Sequence, residues 1–351
     1  FPPSMTTAAL TLLPKGGDLL QLANWRPVSV INTDLRLIAK MLATRLALVA
    51  PEIINASQAG FIPRRSTADC IFSIRSIVDT FEHSKKGAAV VFLDWRKAYD
   101  MVSHEYLLKT LHHFGAGDRF RSLVKALHMT GSIVVRGEHG FGCRFKQKRG
   151  LRQGCPSSPL LFAAALEPFL CALRARLTPV LGMVDAAFAD DVAVVLSSPD
   201  DATRMLEVIS LYEKASGAKL NTDKSKILLL GAAAADQHPW LARLPGMTVY
   251  GADEPCTYLG VVINQPTVAA MRPALDKAMG TLSNIEPFMR RASPLARIYA
   301  GNTFAFSRLI YSWSLMPFSQ DAAAQELLDI AVDSTKRFVF EIAPIDKKYV
   351  F

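Results

Sequence analysis

The stretch that decides the fold is Phe188-Ala189-Asp190-Asp191, in which two adjacent carboxylates separate two apolar runs. Residues 183–188 lead into the pair, and residues 192–196 lead out of it. Apolar runs of this length, bounded by polar residues, are typical of buried strands. The pattern therefore predicts a β-hairpin that presents two carboxylates at its turn, where they need a cation.

A second apolar run, residues 88–93, ends on a third acidic residue, Asp94. Its Val and Phe residues favour a buried strand. An Asp-Asp pair alone is also common in solvated loops and helix caps, so the third carboxylate carries the argument for a metal site. Carboxylates from two adjacent strands can hold two divalent ions that stabilise the attacking and leaving oxygens of phosphoryl transfer. Such all-oxygen ligands favour Mg²⁺.

A loop rich in Gly, Pro and Ser, Arg149 to Pro159, lies between the two acidic strands and leads into an apolar helical stretch. With the segment Phe92-Leu93-Asp94-Trp95-Arg96-Lys97-Ala98-Tyr99-Asp100 and the Phe-Ala-Asp-Asp turn, it resembles the palm motifs of reverse transcriptases. The likeness is greatest to the reverse transcriptase domain of non-LTR (LINE-type) retrotransposon polyproteins. Three further segments fit that family in the same order: 13–15 with 24–29, 57–67, and 216–225.

The resemblance implies a fold of the α+β class, the right-hand polymerase fold. It has an antiparallel palm sheet with packed helices, helical fingers and a helical thumb-like C-terminal part. We expect a fingers-like part at 1–87, a palm with the catalytic motifs at 88–265, and a thumb-like region at 266–351. An insert in the palm covers about 115–150.

Local patterns predict helices and turns within these parts. Apolar spacing predicts helices over 34–50 and 67–81, and a Val-, Gly- and Phe-rich stretch predicts a hairpin over 132–145. Asp200 or Asp201 is expected to cap a helix over 202–216, which Gly217 ends.

The resemblance assigns catalytic metal binding to Asp94, Asp190 and Asp191, with the backbone carbonyl of Trp95 as a further ligand. Adjacent strand residues point to opposite faces, so one of the Asp190–Asp191 pair can serve only to support the other. Lys224 matches the family's motif lysine, which protonates or neutralises the departing pyrophosphate.

The positions that match the family's dNTP-binding residues are Arg26, Arg64, Arg65, Tyr99, Gln153 and Gly154. Tyr99 would pack against the sugar and exclude a 2′-OH, although a core tyrosine under the sheet is the alternative. Gln153 and Gly154 would lie against the nascent base pair. The arginines would face the triphosphate, and only one of Arg64 and Arg65 is expected to reach it.

The segment Tyr258-Leu259-Gly260 resembles the primer grip, a short hairpin that holds the 3′ end of the primer. The formal charge of +9 and the isoelectric point near 9.3 favour a polyanionic partner. The family implies an RNA template, a DNA primer or nicked target DNA, and dNTPs. Its cofactor is a pair of Mg²⁺ ions, with Mn²⁺ as the alternative. The oligomeric state is not predicted.

The cysteine content favours a reducing intracellular compartment. Five cysteines without a Cys-x-x-Cys pair indicate neither a disulfide framework nor a zinc knuckle. No apolar run approaches the ~18 residues of a membrane span. We expect a ribonucleoprotein of the nucleus or cytoplasm, and the absence of an initiator Met at residue 1 indicates a segment of a longer product.

The predicted function is that of an RNA-directed DNA polymerase, a nucleotidyltransferase, within a retrotransposon polyprotein. One alternative is another palm polymerase, such as an RNA-dependent RNA polymerase, against which Tyr99 argues. A second is a catalytically inactive RNA-binding scaffold or decayed fragment, against which the intact acidic residues argue. A third is a nuclease, which would leave Tyr99 and the loop Arg149 to Pro159 (the Gln153 loop) unexplained.

Overall fold

The computed structural model describes residues 1–82, 84–137, 140–231, 244, 246–251, 254–264, 267–315 and 322–341. In this part of the chain the α-helices are α1 (Pro3–Thr6), α2 (Thr33–Ile53), α3 (Thr67–Phe81), α4 (Ala98–Met101), α5 (His104–His113), α6 (Asp118–His128), α7 (Ser158–Arg176), α8 (Pro199–Ser216), α9 (Thr267–Met289), α10 (Pro294–Gly301), α11 (Ser307–Ser314) and α12 (Ala322–Lys336). The strands are β1 (Ala8–Pro14), β2 (Trp25–Val30), β3 (Gly87–Leu93), β4 (Ser132–Gly137), β5 (Gly140–Lys146), β6 (Asp185–Phe188), β7 (Asp191–Leu196), β8 (Lys226–Gly231), β9 (Thr248–Tyr250), β10 (Thr257–Tyr258) and β11 (Val261–Val262).

The predicted palm sheet has five strands in the order β6-β7-β3-β8-β9. β3 pairs antiparallel with both β7 and β8, and β6 pairs antiparallel with β7. Six of the seven residues of β3 are buried, which explains why it reads as a continuous apolar run. The antiparallel sheet expected from the sequence is confirmed.

Helices cover one face of this sheet and form a common core with it. Alternate residues of β3, including Val91 and Leu93, share that core with Leu35 of α2, Leu166 of α7 and Met205 of α8. Side chains on a strand alternate between faces, so this set marks the helix-covered face. The core fixes the position of β3, the strand that leads into Asp94.

Helix α7 is the most deeply buried of these covering helices. It is the one helix of the described residues whose length and composition would suffice to cross a membrane, and 67% of that stretch is buried inside the fold. Its N-terminus follows directly from the Gln153 loop. Packing of α7 therefore fixes where that loop ends.

A second sheet, in the order β2-β1-β4-β5, joins the N-terminal part to the insert. β1 pairs antiparallel with β2, and Ala8 of β1 faces Ile133 of β4 in a parallel pairing. The hairpin predicted over 132–145 is confirmed as β4 and β5. The fingers-like part, which we expected to be helical, thus contains strands besides its helices, and one of the two partners of β1 lies more than a hundred residues away in sequence.

Helix α8 begins earlier than its sequence predicts. Its N-cap is Ser198, whose hydroxyl accepts the Asp201 N–H, so the expectation that Asp200 or Asp201 caps the helix is wrong. The Asp201 carboxylate is buried and accepts hydrogen bonds from the Ser197 and Ser198 hydroxyls, each 3.0 Å long. Gly217 ends the helix with φ +78°, as predicted.

Contacts divide the chain into an N-terminal unit (Phe1–Ser73 with Thr80–Val249) and a C-terminal unit (Ile74–Asp79 with the described residues from Tyr250 onward). The C-terminal unit contains the β10–β11 hairpin and helices α9 to α12. α10 continues into α11 through a π-helical turn, Asn302–Phe306. Tyr250, Gly251 and residues 254–264 belong to this C-terminal unit.

Candidate active site

The hairpin between β6 and β7 turns on just two residues, Ala189 and Asp190. Phe188 pairs with Asp191 across the hairpin. Ala189 adopts a left-handed backbone conformation with φ +58°, which residues with a Cβ rarely adopt. The turn therefore presents Asp190 at its tip and Asp191 as the first residue of β7.

The third carboxylate, Asp94, lies beside this turn. Leu93, the last residue of β3, pairs with Val192 of β7. Because the strands are antiparallel, continuing that register by one residue places Asp94 opposite Asp191. The structure thus brings together the three acidic residues that the sequence singled out.

The electrostatics of the group show mutual repulsion. Partial burial, followed by the negative charges of Asp190 and Asp94, raises the pKa of Asp191 to about 6. Asp191 as a whole is exposed, yet neighbouring protein atoms surround its carboxyl closely enough to desolvate it in part. Burial is also the largest cause raising the pKa of Asp190, where Asp94 adds to the rise and Arg26 opposes it. A nearby cation would stabilise the charged forms of Asp190 and Asp191.

Two polar side chains fix Asp94 from the side of β8. The Asn221 amide donates a hydrogen bond of 2.8 Å to Asp94 Oδ2. The backbone N–H of Asp94 donates to the Ser225 hydroxyl at 3.1 Å. The orientation of the carboxylate is thus set by a segment that lies well over a hundred residues later in the chain.

The carbonyl of Trp95 is directed to the side of β3 on which the acidic turn lies. Trp95 pairs with Leu220 in an isolated antiparallel bridge. In that bridge the Arg96 N–H donates to Lys219 O, and the Asn221 N–H donates to Asp94 O, both at 2.8 Å. Trp95 and Leu220 therefore form a non-hydrogen-bonded pair of the antiparallel bridge. In such a pair the carbonyl of each residue points away from the opposite strand, so the Trp95 carbonyl points away from the Leu220 segment.

These donors fit a divalent cation that takes part of its ligands from elsewhere. Within the described ranges, no group of three or more His, Cys, Asp or Glu side chains is placed to hold a metal ion, so the three aspartates do not form a ligand set on their own. Mg²⁺ is usually held by one or two carboxylates and completed by water and substrate phosphates. Oxygen donors with raised pKa values, at the edge of a sheet, suit that mode of binding.

Tyr99 lies close enough to Asp190 for the two to interact. Burial first, and then the negative charge of Asp190, raises the pKa of the Tyr99 phenol well above its ordinary value. Its ring stacks on Phe162 with a centroid distance of 4.6 Å and an interplanar angle of 12°. The half-buried ring is thus held rigidly beside the acidic group.

The Gln153 loop is tied to strand β2 and to Tyr99 through its backbone. The Ser29 N–H donates to Gln153 O at 2.7 Å, and the Leu151 N–H donates to Tyr99 O at 2.8 Å. Gly154 has φ +106°, and a Cβ there would lie 2.6 Å from Ser29 O. Only glycine allows this close approach of the loop to β2.

The three predicted triphosphate-binding arginines have different surroundings. Arg26, on β2, is exposed and close enough to lower the pKa of Asp190. Arg64 is exposed and has φ +67°. The Arg65 guanidinium instead donates to four backbone carbonyls, at distances of 2.5 to 3.2 Å, at the end of α2 and in the segment after it. This corrects the expectation for Arg65, whose donors hold the end of a helix, and leaves Arg64 as the candidate.

Lys224 is exposed in the turn that precedes β8. Its backbone N–H donates to Asn221 O at 3.2 Å. It therefore belongs to the same segment that orients Asp94. No contact of its ammonium group with the acidic residues is observed in the described part of the chain, so its role remains a prediction.

The predicted primer grip lies in the C-terminal unit. Tyr258 is buried, and the turn residues Leu259 and Gly260 have φ +47° and +81°. The Tyr311 hydroxyl of α11 donates to Leu259 O at 3.0 Å. The predicted grip is thus a strained turn that is held by a helix of the thumb-like region.

Sequence reasoning missed Asn221, Ser225 and Gln58 as parts of the site. Asn221 and Ser225 lie in a segment quoted only for its likeness to the family, and Gln58 lies in another. The Gln58 side chain contacts the turn at Ala189. Their partners lie 127 to 131 residues away, so no local pattern in the sequence signals these contacts.

Comparison with known proteins agrees with this geometry. An antiparallel palm sheet with grouped carboxylates at one edge defines the polymerase fold class. The model of the family "Reverse transcriptase (RNA-dependent DNA polymerase)" matches residues 13–263. The chain belongs to this reverse transcriptase family of nucleotidyltransferases.

Its relatives include proteins of retrotransposons. It is 38% identical over 245 residues to the transposon TX1 uncharacterized 149 kDa protein of Xenopus laevis, covering 68% of this chain. It is 28% identical over 240 residues to a Pol polyprotein from the type-1 retrotransposable element R2 of Popillia japonica, covering 66% of this chain. The chain spans only 19% and 33% of the lengths of these two relatives.

Solved telomerase structures share the fold. The match to apo telomerase from Candida tropicalis has a TM-score of 0.57 at 12% identity, covering 97% of this chain and 60% of that one. Telomerase from Candida albicans in complex with a TWJ fragment of telomeric RNA gives 0.53 at 13% identity, covering 98% of this chain and 61% of that one.

Proposed function

We propose that this chain adds dNTPs to a primer 3′-OH on an RNA template, as the reverse transcriptase part of a retrotransposon polyprotein. The observation that carries the proposal is the grouping of Asp94, Asp190 and Asp191 at one edge of the palm sheet. The raised pKa values of Asp190 and Asp191 show that the group lacks a balancing positive charge. Arg26 is the cation that the geometry places near Asp190.

Asp94, Asp190 and the Trp95 carbonyl would hold two Mg²⁺ ions, with Mn²⁺ as a substitute, and Asp191 would complete or support the set. Such ions supply charge stabilisation to the attacking and leaving oxygens. Asn221 then keeps the Asp94 carboxylate in one orientation. Lys224 would neutralise or protonate the leaving pyrophosphate from the adjacent turn.

The remaining residues would bind and select the nucleotide. Tyr99, held flat by Phe162, would lie under the sugar and reject a 2′-OH. The Gln153–Gly154 backbone, fixed on β2, would lie against the nascent base pair. Arg26 and Arg64 would bind the triphosphate, for which guanidinium groups are well suited.

The partners we propose are an RNA template, a DNA primer or nicked target DNA, and dNTPs. The net charge of +9 supports a polyanionic partner, whose binding would weaken as salt rises. The Candida albicans telomerase of the same fold is in complex with RNA. We also propose that the protein works inside the cell as a ribonucleoprotein, in the nucleus or cytoplasm.

The test is incorporation of dTTP on poly(rA) primed with oligo(dT), with Mg²⁺. We expect the chain to incorporate dTTP and Asp190→Ala to abolish incorporation. The matched control is Asp276→Ala, which removes an exposed carboxylate of α9 that pairs with Arg272. This control should retain activity.

Other outcomes favour the alternatives. A folded, RNA-binding chain without incorporation would favour the inactive scaffold, and faster use of rNTPs than dNTPs would favour an RNA polymerase. Equal activity of Asp190→Ala and the parent would show that the acidic group takes no part in the mechanism.

A further inference from the structure

We propose that Gln58 is a positioning residue of the acidic turn: its side-chain amide clamps the backbone of Ala189 and so sets the directions of Asp190 and Asp191. This inference deepens the proposed function and rests on it, because the clamp matters to catalysis only if the turn is catalytic. Gln58 is buried, so it acts through the turn and does not touch the substrate itself.

The clamp consists of three hydrogen bonds around one buried amide. The Ala189 N–H donates to Gln58 Oε1 at 2.9 Å, and Gln58 Nε2 donates to Ala189 O at 3.2 Å. The Gly60 N–H also donates to Oε1, at 2.7 Å. Gln58 is 0% exposed, so water does not compete for these bonds. The side-chain amide thus pairs with Ala189 as the peptide group of a neighbouring strand would.

The turn needs such support because of its backbone. Ala189 has φ +58° at the first of the two central positions of the hairpin, where glycine is the usual residue. A Cβ makes this left-handed conformation unfavourable. Bonds to both polar atoms of Ala189 offset that cost and favour one conformation of the turn.

Gln58 is in turn fixed by the segment that carries it. The Ala187 N–H donates to Ser57 O at 2.8 Å, and the Ala59 N–H donates to Ala187 O at 2.7 Å, so residues 57–59 lie along β6. Ser57 is held further by its hydroxyl, which donates to Asp185 Oδ2 at 2.6 Å. The clamp therefore rests on a segment bound at several points to the strand that it steadies.

The segment that carries Gln58 packs closely against the turn. A Cβ on Gly60 would lie 2.1 Å from Ala189 N, so the two backbones are in direct contact. At position 58 the clamp requires a donor and an acceptor on one planar group of this length. Glutamine meets that requirement, ionised glutamate offers only the acceptor, and methionine offers neither.

The first test measures hydrogen exchange of single amides in the full chain and does not depend on activity. In Gln58→Met, which keeps the side-chain length, the Ala189 and Gly60 amides should exchange at least about tenfold faster, because their acceptor is gone. The Ala187 amide, bonded to Ser57, should keep its protection. Gln58→Glu retains the acceptor and should restore protection of Ala189 and Gly60. Unchanged exchange at Ala189 in Gln58→Met, or equal loss at Ala187, would overturn the clamp.

The second test separates positioning from general stability. In Gln58→Met, kcat for dTTP incorporation should fall by about 10- to 100-fold, because a displaced turn misplaces the reacting groups. KM for dTTP and the Kd for primer–template should change less than about threefold. The matched control is Asp201→Asn, which disrupts another buried hydrogen-bond network of the N-terminal unit at the start of α8. That control should keep its kcat at temperatures where it is folded.

The two tests distinguish failure of the inference from failure of the proposed function. If the parent incorporates dTTP and Gln58→Met keeps its kcat, the positioning role is wrong while the polymerase assignment stands. If the folded parent does not incorporate, the proposed function fails, and the exchange of the Ala189 amide alone decides whether the clamp exists.

Discussion

The side-chain amide of Asn221 donates a 2.8 Å hydrogen bond to Asp94 Oδ2, while the backbone N–H of the same residue donates to Asp94 O, also at 2.8 Å. Asn221 therefore holds both the main chain and the side chain of Asp94, the residue that follows β3. The bond uses one carboxylate oxygen, so the other can face a cation. Residues that orient metal ligands in this way contribute strongly to metal affinity.

We expect Asn221→Ala to raise the Mg²⁺ concentration needed for half-maximal dTTP incorporation by about 10- to 100-fold, because the carboxylate loses its fixed orientation. A Mg²⁺ titration of the initial rate measures this shift. The control is Asn302→Ala, which removes an exposed amide from the C-terminal unit and should leave the titration unchanged. An unshifted titration in Asn221→Ala would show that the hydrogen bond has no part in binding the ion.

The raised pKa of Asp191, about 6 against an ordinary 3.8, predicts a pH dependence of stability without divalent ions. Between these two pH values the folded state binds more protons than the unfolded state, so the free energy of unfolding falls as pH rises. In EDTA, the Tm should therefore increase as pH is lowered from about 7 toward 5. Thermal unfolding at several pH values measures the slope.

Asp191→Asn is the variant that isolates this effect. It removes the titrating group and the repulsion that the group exerts on Asp190, so its Tm should depend less on pH than that of the parent. Asp185 and Glu167 also have raised pKa values, and they contribute equally to both proteins. Identical slopes for the two proteins would mean that Asp191 does not titrate in this range.

Strands next to the acidic residues could be predicted because their signal is local. The residues of β3 and β7 are almost all buried, so each strand reads as an unbroken apolar run that ends or begins at an aspartate. The N-cap of α8 was mispredicted because the local sequence offers more than one candidate. Several capping residues follow one another at 197–201, and tertiary packing selects among them.

The supports of the site could not be predicted, since each joins distant segments. Gln58 contacts a residue 131 positions away, and Asn221 contacts one 127 positions away. Arg65 shows the opposite case, in which a family motif predicts a substrate contact. Its guanidinium instead binds backbone carbonyls at and after the end of α2, and only the folded chain reveals that these acceptors are near.

Tyr99 should discriminate against ribonucleotides only while its ring is held in place. Tyr99→Ala should reduce the preference for dTTP over UTP, measured as the ratio of kcat/KM values, by roughly 10- to 100-fold. Phe162→Leu removes the stacked ring at 4.6 Å and should reduce the preference by a smaller factor, because Tyr99 remains but can tilt.

Tyr106→Phe is the control for this series, because it removes a hydroxyl that donates to Ala165 O at 3.0 Å in the same unit. It should leave the nucleotide preference unchanged. A preference that survives Tyr99→Ala would indicate that Tyr99 is a core residue, the alternative that the sequence left open.

The hydroxyl of Tyr311 should matter to primer binding because it holds the turn at Leu259. Tyr311→Phe removes the 3.0 Å hydrogen bond to Leu259 O, which should lower the free energy of unfolding by about 1 kcal/mol. With Leu259 and Gly260 both in left-handed conformations, the released turn should also bind the primer less well. We expect a higher KM for primer–template with an unchanged KM for dTTP.

Tyr299→Phe provides the matched comparison, since Tyr299 lies in α10 of the same unit and is 72% exposed. Removing its hydroxyl should change neither stability nor the KM for primer–template. If Tyr311→Phe behaves like Tyr299→Phe in both measurements, the turn is held by other contacts. If Tyr311→Phe loses stability but binds primer–template normally, the turn at Leu259 is structural and the primer grip lies elsewhere.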